Sequence, residues 1–223
     1  MNRYAIIVAG GTGIRMGSEL PKQFLSLVGK PLIAYSIEAF FEADPNTIII
    51  VVLHPRFIDK WELVRKEIPG IPYHLVVGGG ETRFHSVKNG LECIKGTGLV
   101  AIHDAARPMI TKALINSTFE EAAKSGNAIP ALPVYETVRS VENNQTKIID
   151  RSFLRVIQTP QVFETELIKE AYNQAFRADF TDDGSLLEAN GQKVNLVKGD
   201  LFNFKITLPD EFELAEMILS SRR

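Results

Sequence analysis

The sequence predicts an α/β protein whose mostly parallel sheet is covered by helices on both faces. Two observations predict it. Residues 4–8, 48–53, 73–77, 99–103 and 128–134 are short runs that stay apolar at successive positions, as strands buried on both faces do. Between them lie segments with apolar residues at helical spacing, such as Val87, Leu91 and Ile94, or Leu114, Ile115, Thr118, Phe119 and Ala122. That spacing puts one apolar stripe on each helix, and regular strand–helix alternation argues a parallel sheet.

Taken in order, helices are expected over 31–41, 57–68, 82–94 and 111–124. The pattern then changes. Thr137, Val138 and Val141 pair in character with Ile148 and Ile149 across a turn-forming E-N-N-Q-T at 142–146. Residues 135–157 therefore read as a β-arm projecting from the body. Helices follow over 164–176 and 181–190, with Gly191 as a C-terminal cap. A short strand is expected over 193–197. A last helix runs from Pro209 to Arg222 and Arg223, its proline first and its Asp210 and Glu211 at the positive end. The arm is too small for a core of its own, so 1–223 is read as one domain. An isolated hairpin is marginal in water, which predicts that the arm packs on a second subunit in a two-fold dimer.

Composition sets limits on function. The chain has 223 residues, 45% hydrophobic and 23% charged, with net charge −2. That is ordinary globular composition, and it gives no bulk positive charge for nucleic acid. One cysteine, Cys93, cannot form an internal disulfide, which fits a reducing compartment. No run reaches the length of a membrane span and no leader pattern is visible, so a cytoplasmic protein is expected. Cys93 and Trp61 fall in helix patterns and are expected in the core.

In open parallel sheets ligands bind beyond the carboxyl ends of the strands, so the strand-end loops carry the candidates. A-G-G-T-G-I-R-M-G at 9–17 follows the first strand. Ala9, Gly10, Gly11 and Gly13 allow a tight turn whose amides face phosphate oxygens, and Arg15 and Lys22 add charge. The P-loop string is absent, and the dinucleotide fingerprint counted from Gly11 and Gly13 lacks its third glycine, the string running on as Ile14-Arg15-Met16. The loop suits a nucleotide whose phosphates themselves react. H-D-A-A-R-P at 103–108 puts Asp104 at a strand end, where a carboxylate can hold Mg2+ together with phosphate and water. Arg107 can pair with Asp104 or with an anionic substrate. His103 is expected to be packed rather than to act as a base. In G-G-G-E-T-R-F-H-S at 78–86, Gly80, Glu81 and Ser86 can face a base edge, and Arg83 reads as a helix-face ion-pair residue. Lys205 stands in apolar surroundings before the last helix.

These motifs, with P-K-Q-F at 21–24, D-R-S-F-L-R-V-I-Q-T-P-Q-V-F at 150–163, T-D-D-G-S at 181–185 and K-G-D-L-F-N-F-K-I-T-L-P-D at 198–210, resemble the 2-C-methyl-D-erythritol 4-phosphate cytidylyltransferase family of the non-mevalonate isoprenoid pathway. The resemblance runs from Tyr4 nearly to the end. It implies a Rossmann-like nucleotidyltransferase fold and transfer of a cytidylyl group from CTP to a small polyol phosphate, with Mg2+ and release of pyrophosphate. By resemblance Arg15 and Lys22 hold the triphosphate, and Gly80, Glu81 and Ser86 line the cytidine pocket, where Glu81 replaces a common aspartate. Asp104 lies at the metal with Arg107 beside it, and Thr181 and Lys205 lie near the α-phosphate and substrate. Thr137 and Arg151 would reach the site of the neighbouring subunit in a homodimer. The opening Val8-Ala9-Gly10-Gly11, in place of P-A-A-G, is also similar to the ribitol-5-phosphate cytidylyltransferases. Asp150-Arg151 and Thr181-Asp182-Asp183 favour the methylerythritol family. A regulatory nucleotide-binding module without turnover is the alternative of another class.

Overall fold

The computed structural model describes residues 1–11 and 21–221. Gly13 and Arg15, and the end of the last helix at Arg222 and Arg223, lie outside the described residues. Strands β1 (Asn2–Ala9), β4 (Ile48–Leu53), β5 (Leu75–Gly78) and β6 (Gly98–Asp104) are parallel in the order β5-β4-β1-β6. The sheet continues through β11 (Gln161–Glu164), antiparallel to β6, and β7 (Asn127–Pro133), antiparallel to β11. Beside β7 lie β10 (Arg155–Ile157), antiparallel, and β12 (Leu196–Lys198), parallel. A small hairpin, β2 (Ser26–Leu27) with β3 (Lys30–Pro31), follows the glycine loop.

The two-residue period of a strand divides its side chains between the two faces, and β1 shows the result. Ala5 and Ile7 join one cluster with Ile33, Phe40, Trp61 and Phe119, from α1 (Leu32–Ala43), α2 (Ile58–Lys66) and α4 (Lys112–Ser125). Tyr4 and Ile6 join the other with Phe84, Val87, Ile168 and Leu186, from α3 (Arg83–Glu92), α5 (Thr165–Ala171) and α6 (Asp183–Ala189). Leu27, Leu32, Met109, Ile206 and Ala215 form a third cluster, which seats α7 (Pro209–Ser221).

Within the segment read as an arm, β8 (Val138–Glu142) and β9 (Gln145–Ile149) form a separate hairpin, turned by Asn143 and Asn144 at positive φ. Its base differs from expectation, because residues 155–157 return to the main sheet as β10. The helix expected over 164–176 stops at Ala171, and Tyr172, Phe176 and Phe180 pack on Phe84. Trp61 is fully buried as expected, whereas Cys93 is exposed: α3 ends at Glu92 and leaves the thiol just beyond the core. Among the described residues no helix is long and apolar enough to cross a membrane.

Because β1 pairs with β4 on one side and β6 on the other, the chain reverses its winding at the carboxyl ends of β1 and β6, where a crevice is expected. The pairing itself depends on Gly98. Its φ is +154, and a Cβ there would lie 2.3 Å from the Asn2 carbonyl oxygen. Gly98→Ala should therefore lower stability by about 2 kcal/mol, read as a reduced denaturation midpoint; an unchanged midpoint would contradict this packing.

Candidate functional site

Two cavities open at the carboxyl ends of β1 and β6. The larger, about 520 Å³, is bounded by Ala9, Gly10, Gly11, Lys22, Gly80, Glu81 and Ser86. The smaller, about 300 Å³, is bounded by Arg107, Gln158, Thr181 and Asp182. Arg83, Asp104 and Lys205 line both and so form the wall between them.

The larger cavity is shaped by hydrogen bonds that hold glycine backbone in place. Gln23, buried in the one-turn helix after the glycine loop, donates through Nε2 to the carbonyls of Ala9 at 2.8 Å and Gly11 at 3.2 Å. Ser86, on the first turn of α3, accepts from the Gly80 amide at 3.2 Å and donates to the Thr82 carbonyl at 2.9 Å. A Cβ on Gly10 or Gly79 would come within 3 Å of its hydroxyl. Ser86 therefore ties the loop after β5 to the start of α3, and the loop after β1 passes close beside its hydroxyl. Its hydroxyl is committed within the protein, while Gly80 and Glu81 border open space. The role of Gln23 was not read from the sequence; P-K-Q offers no local sign that its amide reaches back to the preceding loop.

Asp104 ends β6 and is 8% exposed. Its Oδ1 accepts from Arg83 Nε at 3.1 Å and its Oδ2 from Lys205 Nζ at 2.7 Å. Burial works to raise its pKa, but Arg83 and then Lys205 outweigh burial and hold the carboxyl well below the usual carboxylate range. Arg107 takes another course. It donates from Nη1 to the Asn203 carbonyl at 2.7 Å, and among the described residues its Nε has no hydrogen-bond partner. Lys22 donates to the Ile206 carbonyl at 2.7 Å, so residues 205 and 206 bring Lys22 and Lys205 to one rim. Thr181 is exposed at the mouth of the smaller cavity. Thr137 and Arg151 line neither cavity; Arg151 bonds the Tyr135 carbonyl at the base of the hairpin.

Among the described residues no three His, Cys, Asp or Glu side chains form a metal cage. Mg2+ keeps its waters and takes one or two carboxylates with substrate phosphates, a demand that the ionised Asp104, bordering both cavities, fits.

A model of the family described as 2-C-methyl-D-erythritol 4-phosphate cytidylyltransferase matches residues 4–221. The chain belongs to this family. It is 46% identical over 219 residues to the enzyme so named from Bacteroides fragilis and 44% identical to that from Phocaeicola vulgatus, covering 98% of this chain and all of each relative. The Thermus thermophilus cytidylyltransferase structure matches with a TM-score of 0.79 at 32% identity over 96% of this chain and 98% of that one. The 4-diphosphocytidyl-2C-methyl-D-erythritol synthase structure from Anaerococcus prevotii matches with a TM-score of 0.83 at 26% identity, over 98% and 96%. The nucleotidyltransferase fold expected of a cytidylyltransferase is thus present.

His103 is fully buried behind the cytidylyltransferase cavities and lines neither, which agrees with a packed role. The Asp104 amide donates to Thr159 Oγ1 at 3.0 Å, Thr159 lies 3.1 Å from His103 Nδ1, and Nε2 lies 3.3 Å from the Arg107 carbonyl. A neutral imidazole satisfies this chain by accepting at Nδ1 and donating from Nε2. Burial lowers its pKa to about 4, and burial also lowers that of His74, which accepts from Trp61. Both groups bind fewer protons folded than unfolded, so their stabilisation is present above about pH 6.5 and fades as pH falls below it, for His103 toward pH 4. His103 contributes about 3 kcal/mol of this on the scale of 1.36 kcal/mol per pKa unit. Melting temperature should fall steadily from pH 7 to pH 4.5, and the slope should flatten in His103→Gln. Equal melting temperatures across that range would contradict the neutral buried imidazole.

Proposed function

We propose that the protein transfers the cytidylyl group of CTP to 2-C-methyl-D-erythritol 4-phosphate, giving 4-diphosphocytidyl-2-C-methyl-D-erythritol and pyrophosphate. The observation that carries this reading is the pair of adjoining cavities sharing the Arg83–Asp104–Lys205 wall in a chain of this family. CTP occupies the larger cavity, its base against Gly80 and Glu81 and its phosphates along Ala9, Gly10 and Gly11. The polyol phosphate occupies the smaller one, against Arg107 and Thr181.

A phosphate monoester is already largely dianionic at pH 7, since its second pKa is near 6, and needs no strong general base. One of its oxygens forms a bond to the α-phosphorus of CTP while the bond to the bridging oxygen breaks. Pyrophosphate leaves opposite with that electron pair. The barrier lies in bringing two anions together and in holding charge on the α-phosphoryl oxygens, which preorganised cations do best in a water-poor cleft. Lys22, Arg15 and Lys205 supply those cations. Asp104 restrains Lys205 and would hold Mg2+, which when bound shares the phosphate charge.

The arm completes the site in trans. Tyr135, Val141, Ile148, Phe153 and Val156 leave an apolar surface around it, with Phe153 85% exposed. We read that surface as the contact with a second copy, which brings Thr137 and Arg151 to the neighbour's polyol phosphate. Arginine suits this because its planar fork binds phosphate through two charge-assisted bonds.

The first test is pyrophosphate release from CTP with methylerythritol phosphate and ribitol 5-phosphate side by side. Turnover with the former and little with the latter is expected. The reverse preference would transfer the protein to the ribitol class, and no release with either would leave a binding module. The second test mixes two variants. Lys22→Ala should lower kcat by roughly 100-fold, and Arg151→Ala should raise KM for methylerythritol phosphate while leaving CTP binding nearly intact. Mixed dimers contain one site with both residues intact, so mixing should restore part of the activity. A monomer with no recovery would place Arg151 on a solvated face.

A further inference from the structure

Arg83 is the residue whose surroundings exceed what either substrate requires. Its Nη1 and Nη2 donate to the two oxygens of Asp183 at 2.9 and 2.7 Å, while Nε turns to Asp104. Asp183 is fully buried and also accepts from the Tyr172 hydroxyl at 2.6 Å. Burial lowers the pKa of the Arg83 guanidinium, but Asp183 and then Asp104 outweigh it, so it lies well above its ordinary value. The three groups come from three places in the chain: Arg83 opens α3, Asp183 opens α6 and Asp104 ends β6. A fork held at two points by a buried carboxylate has one orientation. Its remaining edge then decides where the Asp104 carboxylate points, and Asp104 in turn decides where Lys205 rests.

We infer that Arg83 is a positioning residue for the transfer step: fixed by Asp183 and Tyr172, it orients Asp104 and through it aims Lys205 at the boundary between the two cavities. The inference rests on the cytidylyltransferase reading of that boundary. Lysine cannot replace arginine here, because one ammonium cannot span Asp183 and Asp104 with a planar fork. The same link joins the Thr181–Asp182 side of the smaller cavity to the nucleotide side, since Asp182 caps the helix that Asp183 opens.

The test uses the full chain with CTP and methylerythritol phosphate, in Arg83→Lys, Asp104→Asn and the double variant. Arg83→Lys should lower kcat on the order of 10²-fold, the scale of a misplaced reacting geometry, with the Kd for CTP by calorimetry within about threefold. Because Arg83 acts through Asp104, the double variant should be little worse than Asp104→Asn alone. Tyr172→Phe, which removes one bond to Asp183 and keeps the ring, should lower kcat by a smaller factor and serves if Arg83→Lys does not fold. Multiplicative losses in the double variant, or a kcat per folded molecule equal to wild type in Arg83→Lys or Tyr172→Phe, would overturn the positioning role. Absence of turnover in the wild type would instead refute the cytidylyltransferase reading itself.

Discussion

A carboxylate removed from water is costly unless it is paired and hydrogen-bonded, and the site is organised around one such group. Asp104 stands at the end of a central strand, 8% exposed, with its charge answered by Arg83 on one oxygen and Lys205 on the other. Those partners come from α3 and from the loop before α7. The requirement to neutralise one buried acid therefore draws distant segments into one wall. Its backbone is fixed from behind by Thr159 and His103, so the acid has little freedom to follow its partners; they must come to it.

The same economy of means shapes the nucleotide side. Glycines let the loops after β1 and β5 approach closely, but glycine backbone is also the least constrained. Gln23 and Ser86 supply the constraint through side-chain bonds to backbone carbonyls and amides. Ser86 does so from the first turn of α3, the helix that also starts with Arg83. One helix end thus holds both the glycine loop after β5 and the anchor of the acid, and a shift of that helix would disturb both.

Much of this was legible in the sequence where the cause is local. The apolar runs that became β1, β4 and β6 read clearly because a strand buried on both faces has no polar side to show, and Asp104 stood out as the acid ending one of them. The hairpin was legible from Asn143 and Asn144 between short β-forming runs. What escaped was tertiary. Residues 161–164 carry no strand signature of their own and pair with β6 and β7 only because the chain returns there. The helix after them ends at Ala171, and Tyr172 and Phe176 beyond it pack on Phe84, a contact between distant segments. Arg83 read as a helix-face ion-pair residue, and it is ion-paired, but its partners lie 21 and 100 positions away, a distance no local pattern reports.

The distribution of charge across the wall explains why so many cations can be kept close together before any phosphate arrives. Arg83 is matched by Asp183 and shares Asp104 with Lys205. Arg107 and Lys22 also donate to main-chain carbonyls, which orient a cation without cancelling its charge. Arg83 is thus paired within the fold, while Lys22, Arg107 and Lys205 border the cavities. A fold that neutralised every cation would be easier to assemble but would offer nothing to two approaching anions. One that neutralised none would meet strong repulsion within this small volume. Pairing Arg83 and Lys205 with carboxylates, while main-chain carbonyls orient Lys22 and Arg107, answers both demands around the Asp104 wall.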